Sequence, residues 1–73
     1  MNSSVTIRPY LPQDRRRLER LAALDDRRVP ASPVVLAEVG GTLVAAISER
    51  TGEAVADPFR PTAHLVAMLR ATP

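Results

Sequence analysis

The 73-residue sequence contains no cysteine and no lysine, and only two aromatic residues, Tyr10 and Phe59. Without cysteine there can be no disulfide framework, and the lone histidine, His64, cannot assemble a zinc site from nitrogen and sulfur ligands. Domains of this size commonly lean on such supports, because a chain this short buries only about 60% of the surface its unfolded form exposes. A partner chain is the support left open. Two aromatics also leave no stacking platform for single-stranded nucleic acid. Long apolar runs are missing as well: stretches such as Leu43 to Ile47 are far too short to cross a bilayer. Met1-Asn2-Ser3-Ser4 carries no basic segment followed by an apolar run, so no secretory signal is expected. The expectation is a soluble cytoplasmic protein with no membrane partner.

What is present describes one folded domain spanning residues 1–73. Apolar residues make up 45% and charged residues 25% of the chain, which separates it from disordered sequences. All ten basic residues are arginine, and the net charge is +2. Its distribution is uneven. Arg15, Arg16, Arg17, Arg20, Arg27 and Arg28 face Asp14, Glu19, Asp25 and Asp26 within one short segment, and the rest of the chain balances. Interleaved acids of this kind mark a solvated helix face more readily than a nucleic-acid grip. Asp25 and Asp26, adjacent at a helix end, point in different directions and are read as solvated.

Local patterns give the element order. Val5-Thr6-Ile7-Arg8 alternates and predicts a first strand closed by Pro9. Pro12 suits the first position of a helix, with Asp14 in its first turn near the positive dipole end. Leu18, Leu21, Ala22 and Leu24 then recur at helical spacing, and the helix is expected to fray over 25–28. Val34 to Val39, Gly40-Gly41 and Thr42 to Ser48 read as a two-residue β-hairpin. Strict pairing across that turn sets Ala37 against Val44, Leu36 against Ala45, Val35 against Ala46 and Val34 against Ile47. Both faces of the hairpin are apolar, so a helix is needed on each. Glu53 to Ala56 gives a short fourth strand, and Asp57-Pro58-Phe59-Arg60 has the residue order of a type I turn. Thr62 N-caps a last helix over 63–71. The fold class is therefore α+β: about four antiparallel strands with one helix on each face.

This order resembles the N-terminal half of the GCN5-related N-acetyltransferase (GNAT) superfamily. Ile7-Arg8-Pro9 leading to Pro12-Gln13-Asp14 is similar to its I-R-x-A-x-x-x-D opening. Val35-Leu36-Ala37-Glu38-Val39-Gly40-Gly41-Thr42-Leu43-Val44-Ala45 is similar to its V-A-E-x-D-G-x-x-V-G hairpin. The resemblance implies acetyl-CoA as cofactor and N-acetyl transfer as activity, held by a Q/R-x-x-G-x-G/A loop after the fourth strand. Such a loop needs glycines and free amides aimed at the pyrophosphate. The corresponding residues here, Asp57-Pro58-Phe59-Arg60-Pro61-Thr62, contain no glycine and two prolines. The sequence also carries no counterpart of the later strands that complete the acyl-CoA cleft. No catalytic, cofactor-binding or metal-binding residue is therefore assigned.

Two weaker features remain. Arg60 and Thr62, at the start of the last helix, form a candidate anion site. The last helix looks apolar nearly all round, and Leu65, Val66, Met68 and Leu69 are taken as its interaction surface. The leading expectation is a non-catalytic interaction or oligomerisation module, acting as a homo-oligomer or on a protein partner. One alternative is weak acyl-CoA binding or transfer completed by a second chain. Another is a small nucleic-acid-binding regulator using the arginine helix.

Overall fold

The computed structural model describes residues 4–71. Four strands, β1 (Val5–Pro9), β2 (Val34–Val39), β3 (Thr42–Ser48) and β4 (Ala54–Ala56), form one antiparallel sheet in the order β1-β2-β3-β4. Helix α1 (Arg15–Leu24) follows β1 after a single 3-10 turn at Pro12–Asp14, and helix α2 (Ala63–Ala71) follows β4. The expected α+β arrangement is present, with one helix on each face of the sheet.

Two cores result. On one face Leu18, Leu21 and Ala22 of α1 pack on Val34, Leu36, Leu43, Ala46 and Val55, with Tyr10 alongside. On the other, Leu69 of α2 packs on Ala37, Ala45 and Ile47, flanked by Ile7, Val35 and Val66. Alanine at positions 37, 45 and 46 lets both helices approach the sheet closely. Leu36, wholly buried in the centre of β2, carries the α1-side core.

The hairpin turn falls where Gly40-Gly41 places it, at φ 57° and 84°, values that a two-residue turn of the primed type requires and that glycine adopts without steric cost. The pairing beyond the turn differs from strict alternation. Val39 opposes Thr42 and Glu38 opposes Leu43, but Ala37 then opposes Ala45, Leu36 opposes Ala46 and Val35 opposes Ile47. Val44 is the extra residue of a β-bulge. The expected pairs of Ala37 with Val44, Leu36 with Ala45, Val35 with Ala46 and Val34 with Ile47 are thus displaced by one residue. The bulge reverses the phase of β3, so Leu43 and Ala46 share the α1 face while Ala45 and Ile47 share the α2 face. It also turns the Val44 carbonyl toward the Asp57 N–H, which donates to it at 2.9 Å. That bond fixes the chain as it leaves β4.

Helix α1 ends in a Schellman arrangement. Arg27 N–H donates to Ala22 C=O at 2.9 Å and Asp26 N–H to Ala23 C=O at 3.1 Å, with Asp26 in the left-handed region at φ 52°. The segment expected to fray is therefore a defined cap. Truncating Leu36 to alanine is expected to cost about 2–5 kcal/mol, the range for a large buried aliphatic residue, read as a fall in the urea midpoint at unchanged slope.

Candidate functional site

The densest polar cluster joins β1, the 3-10 turn, α1 and β2. Arg8 lies on the α1 face of the sheet, opposite Leu36 and two residues along the ladder from Glu38. Its guanidinium donates to Asp14 at 2.8 Å (Nη1 to Oδ2) and 2.7 Å (Nη2 to Oδ1). It also donates to Glu38 at 3.2 and 3.1 Å, and to the Pro9 carbonyl at 3.1 Å. All five of its N–H donors are thereby engaged. Arg17, in the first turn of α1, donates to Asp14 Oδ1 at 2.6 Å, pairs with Glu38 Oε2 at 3.0 Å and reaches the Gly41 carbonyl at 3.5 Å. Leu11 N–H donates to Asp14 Oδ2 at 2.9 Å. With four donors on its two oxygens, the 1% exposed Asp14 is saturated.

Asp14 therefore does more than complement the helix dipole, the role expected of it. The charge-assisted bonds from Arg8, with those from Arg17 and Leu11, hold its carboxyl far below the usual carboxylate range despite burial. Glu38 is lowered too, chiefly by Arg8, and both arginines are raised by the same contacts, Asp14 first. A carboxylate held ionised and fully occupied is poorly suited to proton transfer or metal binding. The cluster is a structural lock with zero net charge. Arg8 and Glu38 stand inside the two resemblance motifs, and a link between those motifs was the signal that sequence reasoning missed.

The second region lies along β4. Asp57 N–H donates to the bulge carbonyl, Phe59 N–H donates to Asp57 Oδ1 at 2.8 Å, and Arg60 N–H donates to Asp57 C=O at 3.2 Å. Pro58 and Pro61 have no N–H. Every backbone amide from 57 to 61 is thus spent internally or absent. Arg60 is 3.7 Å from the Asp57 carboxylate, which places a negative charge beside the candidate anion site of Arg60 and Thr62. Thr62 is buried, and its carbonyl accepts the Leu65 and Val66 amides at 2.9 and 3.0 Å. At the tip of this turn Phe59 is 82% exposed.

Beside it, an open groove of about 880 Å³ runs along β4, between the end of α1 and α2. Its lining mixes Ala23, Pro30, Val55 and Val66 with three acidic and three arginine side chains. Ser48 N–H donates to Glu53 C=O and Asp57 N–H to Val44 C=O. That parity, with Val55 opposite Ala46, turns Ala54 and Ala56 outward as the sheet edge. Asp25 is not merely solvated: its Oδ2 accepts the Ala56 N–H at 3.1 Å and pairs with Arg27 at 3.3 Å. A carboxylate placed there blunts the edge.

The expected interaction surface on α2 divides. Leu65 and Leu69 are 3% exposed and face the sheet, so they belong to the interior. Val66 is half-buried on the groove wall, and Met68 is 46% exposed. The helix therefore has one buried stripe, with Ala63, His64 and Ala67 in solvent. Among the described residues no acidic, histidine or cysteine cluster could hold a metal, and no helix is long and apolar enough to cross a membrane. Comparisons with protein-family models, curated proteins and solved structures give no match.

Because the lowered Asp14 and Glu38 values favour the folded state only while both are ionised, their contribution is complete above the usual carboxylate range, begins to fall as pH enters it, and is fully lost only below the lowered native values. The urea midpoint is expected to be flat from about pH 8 to about pH 5 and to drop below about pH 4. Asp14→Asn is expected to lower the plateau by about 2–4 kcal/mol, somewhat under a fully buried pair because both arginines keep some hydration. The same change is expected to flatten the acid limb.

Proposed function

We propose that this chain is a small, non-catalytic protein-interaction module of GNAT-like ancestry, acting through its C-terminal half. The observation that carries this reading is the turn at 57–61. An acyl-CoA pyrophosphate needs several backbone N–H groups converging on it. Here Asp57 accepts two of the three amides in the turn, the bulge takes the third, and the Asp57 carboxylate would repel the anion. What the turn offers outward instead is an aromatic ring. Aromatic residues dominate the energetics of protein interfaces when a partner desolvates them. A rigid turn that presents one in solvent loses little entropy on docking.

The arginine helix supports a nucleic-acid role less well. Arg17 is turned inward to Asp14 and Glu38, Arg15 pairs with Glu19 and Arg27 with Asp25. That leaves Arg16, Arg20 and Arg28 as its unpaired cations among the described residues, with Asp26 beside them. Such a surface supplies counterion release and little selectivity.

Titration calorimetry with acetyl-CoA tests the reading. No saturable binding tighter than about 10 μM is expected, roughly −7 kcal/mol. Tighter binding would restore the acyl-CoA alternative, because the ligand would have found donors that the turn does not offer.

A further inference from the structure

We infer that two copies of this chain pair antiparallel through β1, about a two-fold axis at Thr6, to form one continuous sheet. This goes beyond the interaction-module reading and stands independently of it, since β1 is the edge opposite β4. The two edges of the sheet are treated differently. At β4 the Asp25 carboxylate accepts the outward Ala56 N–H at 3.1 Å and blunts the edge. At β1 no such guard is present among the described residues. Tyr10 N–H donates to Val34 C=O and Gly40 N–H to Ser4 C=O, so even-numbered residues of β1 bond β2 and odd-numbered ones face outward. Val5 and Ile7 therefore present two N–H and two C=O groups beyond the sheet. Pro9, the next outward residue, has no N–H, and its C=O already accepts from Arg8 Nη1 at 3.1 Å. The helices lie elsewhere: α1 mainly over β3 and β4, and α2 over β2 and β3. Val5 is 42% exposed, Thr6 is exposed, and Arg8, the one charged residue of the strand, is turned inward to Asp14 and Glu38.

A second copy is selected because this short edge is its own complement. With Thr6 opposite Thr6 of the other copy, each Val5 faces the other Ile7. Each such pair exchanges two backbone bonds, so four bonds consume all eight outward groups of Val5 and Ile7 in the two strands. Moving the axis to Ile7 would set Val5 against Pro9, which cannot donate. The side chains agree with the Thr6 register. Ile7 packs on the α2-side core and Val5 shares its face, so both apolar pairs extend that core across the axis. Thr6 meets Thr6 on the α1 face, a pairing that strands favour, and Arg8 meets Ser4, so no like charges oppose each other. The pairing is isologous and closed, and it leaves both blunted β4 edges at the ends of the joined sheet.

The contact is short. Five strand residues from each copy bury less than the roughly 1,200 Å² of a standard interface, which places the dissociation constant at about 100 μM.

Sedimentation equilibrium of the 7.9 kDa chain from about 5 μM to about 1 mM tests this. Wild type is expected to pass from monomer to dimer across that range. Thr6→Lys sets two like charges against each other at the axis, and is expected to raise the dissociation constant at least about tenfold. Thr6→Glu alone should do the same. An equimolar mixture of the two variants should dimerise again, because only at a two-fold axis does a residue face itself. Val5→Pro removes an outward N–H and no bond to β2, and is expected to weaken the dimer by about tenfold as well. Circular dichroism and urea midpoints at about 5 μM, where the chain is monomeric, should match wild type for variants that keep the fold. A wild-type monomer at about 1 mM would overturn the inference. So would a dimer indifferent to Thr6→Lys and Val5→Pro, or a mixture of folded Thr6 variants that stays monomeric. None of these results bears on the 57–61 turn or on acyl-CoA binding, so failure here remains distinct from failure of the interaction-module reading.

Discussion

The Asp14 carboxylate is the point on which this fold turns. A short chain with no cysteine and a small core has few ways to fix its layers relative to one another. Here one buried anion gathers Arg8 from β1, Arg17 from α1 and the Leu11 amide from the turn between them, and Arg8 ties Glu38 of β2 to the same point. Arg17 reaches on toward the hairpin turn at Gly41. Burying a charge is costly unless its partners are complete. In this cluster the donors and acceptors match so closely that no buried side-chain polar atom among the described residues lacks a partner. The angle of α1 on the sheet follows, and with it the packing of Leu18, Leu21 and Ala22 onto Leu36 and Ala46.

From that anchored half the consequences run toward β4. The Schellman end of α1 swings Asp25 against the last strand, where it takes the outward Ala56 amide. The Val44 bulge presents a carbonyl that catches Asp57, and Asp57 in turn closes the loop beneath Phe59. Two local irregularities, a left-handed Asp26 and one extra residue in β3, therefore shape both walls of the groove and the projection beside it. The polar network that could have bound a ligand is instead spent on holding the molecule together. The surface that remains open is the exposed Phe59 and a groove whose lining mixes apolar and charged side chains.

Much of the architecture was legible from residues alone. Gly40-Gly41 between β-branched runs fixes the hairpin, Asp57-Pro58 fixes the turn, and Leu18, Leu21 and Ala22 mark the buried stripe of α1. The bulge was not legible for a definite reason. Leu43-Val44-Ala45-Ala46-Ile47 is apolar on every residue, so alternation carries no phase and a one-residue slip leaves the pattern unchanged. The lock was missed because its members are far apart in sequence: Arg8 and Glu38 are separated by 30 residues. A short-range reading assigns Asp14 to the nearest helix terminus, which is a weaker partner than two guanidinium groups. On α2, six of the first seven residues are apolar, yet only Leu65 and Leu69 are buried. Exposed alanines make a helix look more apolar than its buried stripe is.

The central claim is that Asp14 and its arginines act as one cooperative unit rather than as separate surface pairs. A double-mutant cycle on Asp14→Asn and Arg17→Gln, measured by urea unfolding near pH 7, tests it most directly. The account predicts a coupling energy of at least about 1 kcal/mol, the signature of residues sharing a partially buried network. Additive effects within about 0.3 kcal/mol, the behaviour of independent exposed charges, would contradict it.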